Sequence, residues 1–482
     1  MQAKDGQSAK SGGANAVISV VGLSSQQVAS FVITILAAGF LTPAEYGVYT
    51  LAIVFVEFVV MLTYTGYFHY LVNASEDEDR VLSTMFWMMV GIGTLGGATL
   101  VLLAGPIARL FDAPELAPVL RLFGFLQPFA SLIGWASAVL TRAGLMRRYF
   151  LVLAISNLGG LAAGCLLLIV WQSLFALVAY RAARIALGLL LFTLSLPRRP
   201  RFGFDRGMAW RSTRYAVGLY GARFLNFFSV FGTDLILALI FSTAEAGLYR
   251  FANRLATGTV DIIAQPLRIF ALKSFGAAAR SSAPLSPLLT RYLGTAVFLT
   301  GGFALTIVVL GRPLVETLFQ PDYLAALGAL YALGARAAFL SGNMFVEPVF
   351  AARHTTSVAM YHNLIWTSVM LTAIIIAAPF GYTMLAAVQA VVALMTSVAA
   401  VWVMGRWGQI DVRPALRGAA RAAGLLALYG CMLALAWTGL AASVQPGLPL
   451  LAIGAATALA LAALTSAFAL RTRVVDLRIF VD

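Results

Sequence analysis

About eight arginines lie inside stretches of chain that are otherwise apolar enough to cross a bilayer: Arg121, Arg181, Arg184, Arg223, Arg250, Arg254, Arg268 and Arg336. Four carboxylates share those stretches: Glu57, Asp234, Asp261 and Glu347. An arginine at a helix centre costs about 2.5–3.5 kcal/mol even on the lenient insertion scale. Eight of them facing lipid would cost roughly 20–28 kcal/mol, more than the usual net stability of a domain. Most must therefore face water, a partner group or an anionic ligand. The clearest pattern places Arg250, Arg254, Thr257, Asp261, Gln265 and Arg268 on one helix stripe about 80° wide. Arg223 and Asp234 fall within about 20° of each other on the preceding helix, and Arg336, Asn343 and Glu347 share a face farther on.

Simpler roles compete with a ligand site. Arg121, Arg250 and Arg268 sit near helix ends and can snorkel to the headgroups. Asp234 with Arg254, and Asp261 with Arg223, can form neutral pairs that lock helices together. A surplus of about four positive charges remains, which favours an electropositive cavity. Glu57 is the lone intramembrane acid of the first half, a candidate ion or proton site or else a partner for a cavity arginine.

The rest of the chain must hold these charges in place. Of 482 residues, 61% are hydrophobic and only 11% are charged. Soluble proteins run near 45–50% apolar and about 25% charged, so an all-α polytopic membrane fold is expected instead. Apolar segments near 20 residues long occur about fourteen times, twelve of them before residue 404. Helix 1 is diluted by Ser24, Ser25, Gln26, Gln27 and Ser30, which suggests a cavity lining. With the N-terminus inside, roughly 23 Lys and Arg collect on one side of the membrane against 2, Arg109 and Arg312, on the other. That asymmetry puts both termini in the cytoplasm. It also accounts for most of the net charge of +14, so nucleic acid is not an expected partner.

A short phrase occurs twice. Thr42-Pro43-Ala44-Glu45-Tyr46-Gly47-Val48-Tyr49 returns as Ser242-Thr243-Ala244-Glu245-Ala246-Gly247-Leu248-Tyr249. Leu110-Phe111 with Leu116-Ala117 likewise returns as Leu318-Phe319 with Leu324-Ala325. Two homologous lobes of about six helices, in parallel repeat, are expected to hold a substrate site between them. The expected organisation is a cytoplasmic tail at 1–14, an N-lobe at 15–196 and a basic cytoplasmic linker at 197–212. A C-lobe follows at 213–404, and two further helices with a cytoplasmic C-terminus occupy 405–482.

Several chemistries are absent from the sequence. No phosphate-binding loop of the G-x-x-x-x-G-K-[ST] type occurs, and lysine appears only at Lys4, Lys10 and Lys273, so ATP hydrolysis within this chain is not expected. Metal-ligand spacing and paired catalytic carboxylates on the short loops are missing as well, so neither an enzyme nor a metal protein is expected. No cleavable signal peptide is evident. Cys165 and Cys431 read as buried small hydrophobes, and His69 and His362 as packing or interfacial residues. Prolines follow polar residues inside spans at Gln127-Pro128, Gln265-Pro266 and Glu347-Pro348, where helices 4, 8 and 10 would kink.

The phrase Leu41–Tyr49, the segment from Asp234 to Tyr249, the linker Arg198-Arg199-Pro200-Arg201 and the helix end Arg142-Ala143-Gly144 together resemble the polysaccharide transporter family. This is the Wzx-like group of oligosaccharide flippases in the MOP exporter superfamily. The resemblance covers about residues 15–404 and implies two six-helix bundles in a V, in a bacterial inner membrane. It implies flipping of an oligosaccharide on polyprenyl (undecaprenyl) diphosphate for O-antigen or exopolysaccharide biosynthesis, with polysaccharide polymerase and glycosyltransferases as partners. A diphosphate would suit guanidinium, which binds paired anionic oxygens in bidentate fashion. Arg223, Arg250, Arg254, Arg336, Arg268 and Arg184 would then hold substrate, and Asp234, Asp261, Glu57 and Glu347 would tune charge or couple to protons or sodium. No cofactor is implied. Helices 13 and 14 would, by analogy, form a groove for the prenyl tail. A lipid II-type flippase, a drug exporter of the same superfamily and a membrane enzyme acting on polyprenyl-linked sugars are the alternatives.

Overall fold

The structure is a computed structural model describing Gly22 and residues 25–74, 78–472 and 474–476, apart from some side chains in the second, seventh and eighth helices. It is all helical, and among the described residues eleven helices are long and apolar enough to cross a membrane. The fourteen expected spans include three others. The shorter helix α1 (Ser25–Phe40) and the long helices α7 (Arg206–Ile240) and α8 (Thr243–Arg280) are not among the eleven. Polar side chains dilute α1, and Arg250, Asn253, Arg254 and Arg268 dilute α8. The chain divides into two compact units, Met1–Gly247 and Leu248–Asp482.

The first unit contains α1 to α7 and the first residues of α8. Its remaining helices are α2 (Pro43–Asn73), α3 (Glu78–Leu110), α4 (Leu116–Arg142), α5 (Met146–Trp171) and α6 (Leu174–Ser195). The repeated phrase is a helix start. Thr42 is the N-cap of α2, its hydroxyl accepts from the Glu45 amide, and Glu45 Oε2 accepts from the Thr42 amide in return. Ser242 and Glu245 repeat that reciprocal arrangement at α8 with the same distances, 3.0 Å and 3.3 Å. Two otherwise unpaired amides at each helix start are satisfied this way. The glycine of each phrase has a different task. A Cβ on Gly47 would lie 1.9 Å from the Thr243 carbonyl oxygen, and one on Gly247 would lie 1.9 Å from that of Pro43. The two helix starts therefore cross backbone against backbone, and only glycine fits.

Small residues set the packing of neighbouring helices as well. Gly93 and Gly97 of α3 meet Ser131 and Gly124 of α4, and Gly160 and Gly164 of α5 meet Arg184 and Tyr180 of α6. Such contacts let transmembrane backbones approach closely, where van der Waals packing replaces the missing hydrophobic drive. Trp135 on α4 is fully buried and donates its indole N–H to the Leu82 carbonyl at 3.0 Å. Arg142 donates to the carbonyls of Leu71 and Ala74 at the end of α2, 2.8 and 2.6 Å away. The helix α7, expected to open the second lobe, packs on α2 in the first unit. Tyr67 meets Thr213, Tyr220 donates to the Leu62 carbonyl, and Phe58 lies between Phe224 and Phe227.

The basic linker is strapped to the start of α3. Arg198 pairs with Glu78 at 2.6 Å, Arg201 with Asp79 at 2.7 Å, and Arg80 with Asp205 at 3.6 Å. The other two residues of the acidic run, Glu76 and Asp77, lie outside the described residues. Asp205 caps α7, and the amide N–H of Met208 holds its carboxyl below the usual range, assisted by Gly207, Arg80 and Arg211. A lowered folded value means the cap is complete at neutral pH and above the ordinary aspartate pKa of about 3.9. It is lost only as pH falls through the lowered value. Protection of the Met208 amide from hydrogen exchange, followed from about pH 6 down to about pH 2, should show an acid step that Asp205→Asn abolishes.

The second unit holds α9 (Leu285–Leu318), α10 (Pro321–Ala352), α11 (Thr356–Ala377), α12 (Tyr382–Arg406), α13 (Arg413–Ser443) and α14 (Leu448–Arg471), besides most of α8. Helix α13 packs along α9, with Gly301 against Leu426 and Tyr429 hydrogen-bonded to Thr306 at 2.7 Å. Arg291 binds Asp476 at 2.5 Å, which ties the segment after α14 back to α9. Of the three expected kinks, α4 runs as helix through Pro128, and α8 through Pro266. Helix α10 is interrupted by a 3-10 stretch at Leu340–Phe345, where Gly342 packs on Ser397 and the Ser397 hydroxyl donates to the Phe339 carbonyl. The cysteines depart from expectation. Cys431 is exposed on α13 and Cys165 is half-buried, because an apolar residue on an outer helix face meets lipid instead of a core.

Candidate functional site

Inside the first unit, α1 to α6 enclose a polar cavity of about 310 Å³. Its chemistry comes from Glu57 and Thr63 on α2, Gln127 on α4, Asn157 on α5, and Arg181 and Arg184 on α6. Arg181 and Arg184 are three residues apart, one turn of the same face, so α6 presents both guanidinium groups together. Arg181 Nη2 lies 2.9 Å from Glu57 Oε1, and its guanidinium carbon sits 5.7 Å from the centre of the Phe123 ring. Pairing and stacking thus fix Arg181. Arg184 forms no ion pair among the described residues, and its stem packs against Gly160. Two cations against one carboxylate leave the cavity electropositive.

Uncharged groups complete the lining. Asn157 donates to Ser25 at 2.9 Å and is nearly fully buried. Gln127 is also buried, and its Oε1 has no hydrogen-bond partner. A buried amide oxygen without a donor costs about 1–3 kcal/mol, so a hydroxyl-bearing guest would gain by supplying one. The arrangement can bind an anionic group beside Arg184. Among the described residues it contains no nucleophile–base pair.

The other sequence-derived candidates lie elsewhere. Arg223 is exposed on α7, and Asp234 on the same helix is half-buried and engaged by neighbouring groups. Arg250 and Arg254 on α8 are half-buried and likewise engaged, and Arg268 is exposed. The side chains of Asp261 and Gln265 lie outside the described residues. In the second unit Arg336 is half-buried with its Nε unpartnered, while Glu347 is exposed on α10. Nearby, His362 bonds Asn343 at 2.9 Å, a packing role as expected. Of the ten candidates, the cavity of the first unit brings together Arg184 and Glu57. It adds Arg181, Gln127 and Asn157, which sequence reasoning left out of the site. The spacing of Arg181 and Arg184 was the available signal.

Residues 35–328 match the family described as "Polysaccharide biosynthesis protein". The succinoglycan biosynthesis transport protein ExoT of Rhizobium meliloti (strain 1021) is 27% identical over 250 residues, 51% of this chain and 50% of ExoT. The chain therefore spans about half the length of that relative. The amylovoran biosynthesis protein AmsL of Erwinia amylovora is 21% identical over 267 residues, 55% of this chain and 69% of AmsL. Among solved structures, the lipid II flippase MurJ in an inward closed conformation superposes with a TM-score of 0.71 at 13% identity, covering 95% of this chain and 99% of MurJ. An inward-facing multidrug resistance MATE family transporter of the MOP superfamily gives 0.63 at 13% identity, covering 81% and 97%. This chain shares the fold of these two structures.

Proposed function

The chain belongs to the polysaccharide biosynthesis protein family, and from that premise we propose that it flips a polyprenyl-diphosphate-linked oligosaccharide across the bacterial inner membrane by alternating access. The observation that carries this reading is the intramembrane cavity with two guanidinium groups and a single carboxylate. A charge of that sign suits a phosphorylated headgroup and opposes a cationic drug. Guanidinium groups also match paired phosphate oxygens in geometry. The amides Gln26, Gln127 and Asn157 in the lining suit the hydroxyls of a sugar. The polysaccharide roles in the names of ExoT and AmsL agree with this substrate class.

In this account Arg184 is the free cation that meets the anion, and Arg181 is held ready by Glu57. Arg223, Arg250, Arg254, Arg268 and Arg336 serve as further anion contacts along the path. Glu57, Asp234, Asp261 and Glu347 tune the charge or take up a proton or sodium ion. The fourteen-helix count, the parallel repeat and the cytoplasmic termini belong to the same proposal.

Arg184→Ala should weaken capture of the lipid-linked substrate by roughly 10- to 100-fold, the loss of one or two hydrogen bonds to a charged group. Arg184→Lys should recover only part, because an ammonium cannot form the planar two-point contact. The check is surface polysaccharide in a deletion strain complemented at equal protein abundance. Undiminished polymer with Arg184→Ala would remove the cavity from the transport path.

A further inference from the structure

Beside the polar cavity, the first unit has an apolar groove of about 550 Å³ between α2, α3 and α7. Its floor is α2, with Val54 and Val59 buried, and its mouth is formed by the exposed Leu95 and Leu103 of α3 and Phe228 of α7. Among the described residues no charged side chain lines it. One residue lines both cavity and groove: the buried Thr63 of α2, whose hydroxyl donates to the Val59 and Val60 carbonyls of its own helix. On α3 the two linings lie within one turn, Met89 in the cavity and Ile92 in the groove.

An electropositive chamber next to a charge-free slot, walled by the same two helices, matches an amphiphile with an anionic head and a long apolar tail. We propose that this groove holds the isoprenoid tail of the lipid-linked substrate whose diphosphate occupies the cavity, a proposal that rests on the transport reading above. Phe55, Phe58, Phe227 and Phe228 give the slot broad ring faces for methyl-branched, unsaturated units. The second unit has its own apolar groove, of about 340 Å³ between α9, α13 and α14, which is the place the family resemblance suggests for a prenyl tail. Among the described residues that groove also has no charged lining residue, and it shares none with the polar cavity. Within the first unit, among the described residues, the polar cavity and the apolar groove share Thr63.

The full-length protein in nanodiscs, labelled with a polyprenyl diphosphate carrying a diazirine on its tail, tests this directly. Crosslinks are expected on the α3 segment Leu95–Leu103 and the α7 segment Phe227–Leu235. Unlabelled polyprenyl diphosphate should compete them away, and equal phosphatidylglycerol should not. Thr99→Trp, which fills the mouth at an exposed position, should reduce that labelling at least tenfold while leaving the affinity for inorganic diphosphate unchanged. Labelling confined to α13 and α14, or competed equally by phosphatidylglycerol, would overturn the assignment of the tail. Failure of the transport reading would look different, with inorganic diphosphate binding insensitive to Arg184→Ala.

Discussion

Glu57→Leu is expected to destabilise the protein by about 3–5 kcal/mol, the usual cost of removing one partner from a buried ion pair. The variant leaves Arg181, with only 13% of its side chain exposed, uncompensated in the polar cavity. About a third of the Glu57 side chain opens to the cavity, so the value belongs at the low end of that range. The double variant Glu57→Leu/Arg181→Leu should regain most of the loss, because replacing a buried pair by apolar groups is often neutral. Thermal unfolding in detergent, read by the fraction of protein remaining monodisperse, distinguishes the outcomes. Equal stability of the single variant and the parent would mean that the 2.9 Å contact holds nothing together.

The second large effect is expected at the crossed helix starts. Gly47→Val or Gly247→Val places carbon where a backbone carbonyl oxygen already lies, at 1.9 Å in each case. A flexible side chain could move aside, but a carbonyl at a capped helix end cannot. Each variant should exceed the about 1–3 kcal/mol typical of overpacking. Because both remove the same contact, their effects should fall well short of additive in the double variant. Gly91→Ala is the internal comparison, since nothing lies within 4 Å of its added carbon. It should stay within about 0.5 kcal/mol of the parent, so comparable yields of folded protein for Gly47→Val and Gly91→Ala would refute the crossing.

Membrane character and the repeated phrase were legible because each depends on local sequence. The pattern [Ser/Thr]-x-x-Glu at Thr42–Glu45 and Ser242–Glu245 specifies a helix start wherever it occurs. What the accompanying glycines touch was not legible, since their neighbours lie about 200 residues away in sequence. The same holds for the site. Arg181 and Arg184 face one way by helix periodicity alone, but Glu57 is 124 residues from Arg181, and nothing local names it as the partner. Cys431 shows a further limit. In lipid, apolar composition no longer separates core from surface, so an outward-facing residue of α13 looked buried. The placement of α7 was hidden for a related reason, because its aromatic face matches α2 by shape and carries no distinctive motif.

That placement has a consequence for biogenesis. Tyr67 and Leu62 of α2 find their α7 partners 146 and 158 residues later in the chain. At about 5–20 residues per second, a ribosome needs roughly 7–30 s to deliver α7 after α2 has entered the membrane. During that interval the Phe58 flank of α2 is covered by lipid or by the insertion machinery. Translational pausing in the linker that precedes α7 would lengthen the exposure, and would select for variants whose first helices tolerate waiting.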